Sequence, residues 1–433
     1  MLINSIDIQN GRAVQLRRGE ELVIDGGDPF LWADKFAMFG ELAVIDLDAA
    51  RGTGSNAELV CELARRNGCR VGGGIRDVDL ARRYLNAGAA SVIIGTRATP
   101  EFLRQLPRER IVVALDVTGD DVVDMGWRRQ TGDSWRERLA AVAPFCSGLL
   151  MTDVRREGTL GGLDVEKAEA FAIAARMFVP GFSISFAGGA DSADDIARLD
   201  AAGVDVQAGM ALYSGRLKSA DVALAMLRRR DADLWPTVVQ SEAGEILGLV
   251  YSNAESLTTA METGEGVYWS RRRGLWRKGA TSGNTQQLIR VDLDCDRDAL
   301  LFTVAQDGSG FCHSGVMSCF SSGFRPQRSL AVFAARIAAS IEGARRRRRP
   351  ESLTSALLSD ESFLADKIRE ESLELIEARS PTEVCHEAAD LLYFTLVRAA
   401  SRGVDLGQIL AELERRSRRV SRRYTPADVE VRS

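Results

Sequence analysis

The sequence predicts a multidomain protein: a (β/α)8 barrel, then a small β-rich domain, then an all-α domain. From residue 1 to about 228, short Val/Ile/Leu runs alternate with helical stretches, the rhythm of parallel strands joined by helical crossovers. Residues 237 to about 325 change to short strands separated by Gly/Ser turns, and from about 352 to 422 apolar residues recur only at helical spacing. At 433 residues the chain is too long for one hydrophobic core, since a domain takes roughly 100–200 residues.

With 45% hydrophobic and 27% charged residues and a formal charge of -5, the chain has the composition of a soluble globular protein and not that of a general nucleic-acid coat. The opening MLINSIDIQNG alternates like a strand and has no basic segment before an apolar run. Neither a secretory signal nor a membrane span is expected, and a cytoplasmic location is. Seven cysteines spread over such a chain do not make a disulfide framework, so their spacing is read for metals or chemistry.

In the first domain, residues 1–228, the runs AVIDLD, CRVGGGI, ASVIIG, IVVALDV, GLLMTDV, FSISFAGG and VDVQAGM follow the opening strand. Eight strands in about 230 residues fit a closed TIM barrel better than an open sheet. Such barrels place their chemistry where strands end. Asp7 ends the first run and Asp116 the fifth; Gly73, Gly74, Gly95 and Thr96 follow one, and Gly188, Gly189, Gly209 and Met210 follow the other at similar intervals. The repeat predicts a half-barrel duplication, with two carboxylates across the mouth and a glycine-rich turn beyond each. Glycines let backbone N–H groups approach a phosphate, so a substrate phosphorylated at both ends is expected. One barrel Asp alone is as often a helix cap; paired, repeated placement favours catalysis.

IDIQNGRAVQL, VIDLDAA, GGGIRD, IIGT, ALDV, TDVRREGTLGG, FAGGADS and ALY together resemble the phosphoribosylformimino-aminoimidazolecarboxamide ribotide isomerases over residues 1 to about 227. The resemblance implies an Amadori rearrangement of an aminoaldose. By it, Asp116 is the acid that opens the ribose ring, Asp7 the base that takes the carbon-bound proton, and Thr152 and Asp153 orient the substrate. The chain departs from the family at Ile3-Asn4-Ser5, usually apolar-Pro-Ala, and at Gln207-Ala208, where the family usually has Val/Ile before the final glycine turn. These positions are expected to touch packing more than chemistry.

Trp235-Pro236, after RRRDAD, marks the start of the second domain, residues 234–344, with strands EILGLVY, GVYWS, QLIRVDLD and ALLFTVA and one helix between Asn253 and Gly264. In VDLDCDRDALL, Asp294, Asp296 and Asp298 occupy alternate positions with Cys295 between them. On an extended chain the carboxylates would project together and Cys295 the other way. Carboxylates suit magnesium, whereas thiolates suit zinc. Cys312 and Cys319 in FCHSGVMSCF complete three thiols, leaving a fourth tetrahedral position open for hydrolysis. The structural alternative is small buried hydrophobes. YWSRRRGLWRKGATSGN, DCDRDALL and CHSGVMSCF resemble phosphoribosyl-AMP cyclohydrolase. The resemblance implies zinc-dependent opening of an adenine ring, zinc ligands shared across a dimer, and His313 as proton carrier. Arg271, Trp276 and Lys278 would meet the nucleotide. Ala280 stands where the family usually has Glu, and Ser241 where it usually has Asp.

Arg345 to Arg349, then Pro350, read as a solvated linker to the third domain, residues 350–425. There Glu370, Glu371 and Glu374 lie three and four apart, and Glu387 and Asp390 three apart, spacings that share a helix face. Like charges crowded there call for a magnesium ion that bridges to phosphate oxygens. The bland reading is an acidic solvated face. SALLSDESFLADKIREES and HEAADLLYF resemble phosphoribosyl-ATP pyrophosphohydrolase, whose basic position is matched by Lys367.

The three resemblances name consecutive steps of histidine biosynthesis: pyrophosphate release from phosphoribosyl-ATP, ring opening and isomerisation. They imply phosphorylated nucleotide and ribotide substrates, Zn2+ and Mg2+ as cofactors, and a homodimer or higher homo-oligomer formed through the cyclohydrolase and helical domains. Neither nucleic acid nor membrane is an expected partner. In the alternative, one module, barrel or cyclohydrolase, is inactive and serves as a binding or dimerisation scaffold.

Overall fold

The computed structural model describes residues 1–124, 127, 129–178, 181–228, 234–320, 330–347 and 353–420. They form two compact units, one of Met1–Val239, Leu249–Gly308 and the chain from Arg415, the other of Gln240–Gly248 and Ser309–Glu414.

The first unit holds the predicted barrel. Its strands are β1 (Leu2–Gln9), β2 (Glu41–Asp46), β3 (Arg70–Gly72), β4 (Ser91–Ile94), β5 (Ile111–Thr118), β6 (Gly148–Asp153), β7 (Ser183–Ala187) and β8 (Asp205–Ala208). Every neighbouring pair is parallel, and β8 returns to β1 with Val206 opposite Leu2, so no edge remains. Helices shield the outside, which is why the strands read as unbroken apolar runs. Ile3, Ala43, Ile93, Val112, Leu150 and Ala187 fill the interior. This packed plug confines the chemistry to the rim.

The duplication is visible in the backbone. An antiparallel hairpin rises after β1 (Arg12–Arg17 with Glu21–Gly27) and another after β5 (Asp121–Asp124 with Arg129–Ser134). Gly73 after β3 has φ +90, and a Cβ there would stand 2.3 Å from the Asp46 carbonyl oxygen. Gly188 after β7 has φ +111, and its Cβ would stand 2.6 Å from the Asp153 carbonyl oxygen. Only glycine fits either crossing.

The β-rich region consists of β9 (Trp235–Ser241), β10 (Ile246–Ser252), β11 (Val267–Ser270), β12 (Gly274–Arg277), β13 (Gln286–Leu293) and β14 (Leu300–Gln306). Four pair in the order β10-β9-β14-β13, and β11 with β12 forms a separate hairpin. The helix Ala254–Thr263 starts at a capping box of Asn253 with Ser256 and stops at left-handed Gly264, at the predicted limits. Most of RRRDAD lies outside the described residues.

In the second unit, helices Leu330–Arg347, Leu353–Ser359, Glu361–Glu377 and Pro381–Ser401 follow one another, then Leu406–Ser417, which belongs to this unit as far as Glu414. Ile337, Ile341, Leu357, Leu364, Phe394, Leu396, Val397 and Leu406 make its core. The boundary expected at residue 344 falls inside the first of these helices. Residues 348–349 of the arginine run, and 350–352 and 421–425 of the expected third domain, lie outside the described residues. Among the described residues no helix is long and apolar enough to cross a membrane.

Candidate functional sites

At the barrel mouth β1 delivers Asp7 and β5 delivers Asp116. The Ser5 hydroxyl donates to Asp7 Oδ1 at 2.9 Å, but burial dominates and pushes the carboxyl up to about 6. Asp116 is also raised by burial, against hydrogen bonds from Trp127 and Thr152. Trp127 Nε1 donates to Asp116 Oδ2 at 2.9 Å, and Thr152 lies opposite Asp116 in the β5–β6 register.

A third carboxylate, absent from the sequence-based site, joins them. Glu157, on the loop after β6, is pushed up to about 8 by burial and then by the charges of Asp7 and Asp116. The charges of both aspartates act on this one carboxyl. Asp153 instead turns inward: it is fully buried, takes the Arg155 backbone N–H and lies 3.6 Å from Lys167 Nζ.

Gly209 caps the short helix Met210–Tyr213. A Cβ on Gly209 would press on the Gln15 amide, whose buried Nε2 has no partner among the described residues. A buried unpaired donor beside a glycine turn is a ready contact for an anionic oxygen. Gly74, Gly95, Thr96 and Gly189 occupy the corresponding turns after β3, β4 and β7. Asn4 does serve packing, its Nδ2 donating to the carbonyls of Phe36, Phe39 and Glu41. Ser5 and Gln207 do not serve packing alone: Gln207 Nε2 reaches the Ser5 hydroxyl at 3.4 Å, and Ser5 reaches Asp7.

Asp294, Asp296 and Asp298 converge with carboxylate oxygens within 4.8 Å of one another. The cause is not strand alternation. β13 ends at Leu293, and the three residues lie in the turn to β14, where Asp294 Oδ1 accepts the backbone N–H groups of Asp298 and Ala299. Cys295 is exposed on that turn.

In the second unit the loop after β14 folds back on itself, with Cys312 N–H bonded to Val316 O and Phe311 N–H to Met317 O. This brings Cys319 against Cys312. Hydrogen bonding from Ser314, first through its hydroxyl and then its backbone, with a further contribution from Cys319, holds the Cys312 thiol below its ordinary range. His313 Nδ1 lies 3.8 Å from Cys312 Sγ. Paired thiols of which one is already drawn toward thiolate suit zinc.

Of the expected nucleotide contacts, Lys278 lines a cleft of about 500 Å³ with Glu265, Arg277, Ala280, Gln286 and Asp307. Arg271 and Trp276 lie outside it. The Arg271 guanidinium covers the Tyr251 ring, and Trp276 packs beside Tyr268 and under Arg273.

On the helical tail Glu371, Glu374 and Glu387 converge within 4.8 Å. Desolvation, then the charges of Asp390 and Glu374, raise Glu371. Desolvation, then Glu374, raises Glu387. Glu370 lies outside these three converging groups and pairs with Lys367 at 2.7 Å; adjacent helix positions point about 100° apart. Lys367 also stands 3.8 Å from Glu371. Crowded, partly desolvated carboxylates with one nearby cation fit a divalent metal.

Three family models match the chain in order: histidine biosynthesis protein over residues 1–218, phosphoribosyl-AMP cyclohydrolase over 248–321, and phosphoribosyl-ATP pyrophosphohydrolase over 339–417. A histidine biosynthesis trifunctional protein of Neurospora crassa is 35% identical over 387 residues, covering 82% of this chain and 43% of the relative. The histidine biosynthesis bifunctional protein HisIE of Synechocystis is 39% identical over 207 residues, covering 46% of this chain and 95% of the relative. The chain thus spans less than half the length of the Neurospora relative.

Proposed function

Because the chain belongs to the histidine biosynthesis protein family, we propose that it carries three consecutive activities of that pathway, with its barrel the isomerase. The observation that carries this reading is the joining of Asp7, Asp116 and Glu157 at one barrel mouth. At neutral pH Asp7, at about 6, is mostly ionised and able to take a proton. Glu157, at about 8, keeps its proton. Asp7 is the base that abstracts the carbon-bound proton; Asp116 with Glu157 supplies the proton that opens the ribose ring. The turns at Gly73–Gly74 with Gly95–Thr96, and at Gly188–Gly189 with Gly209–Met210 and Gln15, would hold the substrate's two phosphates. Domains are assigned as 1–228 isomerase, 234–344 cyclohydrolase and 350–425 pyrophosphohydrolase.

In the cyclohydrolase, Cys312, Cys319 and a Cys295 from a partner chain would hold Zn2+, which would supply an activated water for attack on the adenine ring. His313 moves a proton beside Cys312. Asp294, Asp296 and Asp298 would hold Mg2+. Lys278 and its cleft receive part of the nucleotide. In the tail, Glu371, Glu374, Glu387 and Asp390 would hold Mg2+, and Lys367 would meet the triphosphate. A homo-oligomer is supported by exposed Leu373 and Ile376 on one acid-bearing helix and Leu392 on the other.

The experiment gives the purified chain phosphoribosyl-ATP with zinc and magnesium and identifies the accumulating product. The expected end product is the isomerised ribotide. Accumulation of the unisomerised ribotide would favour the barrel as scaffold.

A further inference from the structure

Arg297 lies inside the acidic turn yet belongs to neither metal set. It adopts φ +62, a left-handed conformation that non-glycine residues seldom take. Backbone and side-chain contacts hold it there, among them Nη1 to the Asp294 carbonyl at 3.4 Å. Its N–H bonds to the Asp294 carbonyl at 3.3 Å, and its own carbonyl accepts the Arg228 N–H at 2.7 Å. The guanidinium then spans to the barrel, where Nε meets Asp200 Oδ2 at 3.1 Å and Nη2 meets Oδ1 at 2.9 Å.

That pair is largely shielded, with 22% of the Arg297 and 10% of the Asp200 side chain exposed. A two-pronged, shielded pair is far more directional than a surface ion pair. Asp200 lies in the last turn of the helix that leads into β8, so it sits at the N-terminal ends of the strands, opposite the mouth. The turn has further ties to the same barrel. Val291 N–H on β13 bonds to Met38 O at 2.8 Å, and Arg290 Nη1 donates to the carbonyls of Ala37 and Gly40.

We propose that Arg297, clamped by Asp200 of the barrel, is a positioning residue that sets the geometry of the Asp294, Asp296 and Asp298 carboxylates for their divalent cation. Arg297 separates Asp296 from Asp298. Release of its side chain would let the strained backbone relax toward negative φ, and such a rotation swings the two flanking carboxylates apart. The barrel thereby acts as a remote buttress for a metal site in the next domain. This inference rests on the magnesium reading of the turn.

The test uses the full chain in a Glu371→Gln background, which removes the tail's cation site. Mn2+ is titrated by electron paramagnetic resonance into that background and into added Asp200→Asn, Arg297→Ala, Arg297→Lys and Asp294→Asn changes. Arg297→Ala breaks the clamp while leaving Asp200 its other partner, the Met1 amine at 2.6 Å. Barrel isomerisation, read in parallel, reports that each variant is folded. The proposal expects Asp200→Asn and Arg297→Ala to weaken Mn2+ binding about tenfold or more, with isomerisation unchanged and Arg297→Lys recovering part of the loss. Binding as tight as in the background would overturn the clamp. If Asp294→Asn also leaves binding unchanged, the magnesium reading itself fails, an outcome separable from failure of the clamp alone.

Discussion

The barrel mouth and the helical tail both crowd carboxylates together, but they relieve the crowding differently. At the mouth, backbone topology fixes Asp7 and Asp116 at strand ends, neutral donors from Ser5, Trp127 and Thr152 surround them, and burial with mutual repulsion keeps a proton on Glu157. On the tail, Glu371, Glu374 and Glu387 are gathered by helix register, with Lys367 close to Glu371. The difference teaches that a buried mouth can balance its charge with a proton. In the proposed reading, the more open helix face balances its charge with a metal.

The sharpest way to break this comparison is Asp7→Asn. It should lower isomerisation about 10³-fold, in the range general bases contribute, and leave the other two steps intact in separate assays. Next, Glu371→Gln should lower pyrophosphate release about a hundredfold and Cys312→Ser should do the same to ring opening, each step failing alone. If one change stopped all three steps in a folded variant, the modules would not be independent.

The pH profile of isomerisation sharpens the proton side. Below about 6 the rate should fall as Asp7 takes up a proton and ceases to be a base. Above about 8 it should fall again as Glu157 loses the proton it would donate. Glu157→Gln should lower the rate and remove the alkaline limb. An unchanged limb would transfer the donor role to Asp116 alone.

Smaller effects are expected from the frame. Gly73→Ala places a Cβ against the Asp46 carbonyl at φ +90 and should cost about 1–3 kcal/mol in chemical denaturation. Ser5→Ala deletes a bond that favours ionised Asp7. It should move the acid limb upward in pH with a rate change under about tenfold.

The barrel was legible because parallel strands buried on both faces leave continuous apolar runs, and because the glycine turns recur in each half. The rim hairpins were not, since GDDVVD and ELVIDGG carry too little alternation to separate from loop. Glu157 hid in VRREG, where a charge run ordinarily means solvent. Its importance arises only once β6 sets that loop over strand ends distant in sequence. In the acidic turn the three aspartates were identified but their geometry was not, because a left-handed Arg297 cannot be anticipated from strand periodicity. At Glu370 the spacing of four from Glu374 does not disclose that its carboxylate pairs with Lys367.

The proton-versus-metal division is tested most directly by treating the full chain with a chelator and assaying the three steps separately. Isomerisation should persist, while ring opening recovers with zinc and magnesium together and pyrophosphate release with magnesium alone. Loss of isomerisation with the metals, or persistence of either hydrolysis without them, would contradict the account.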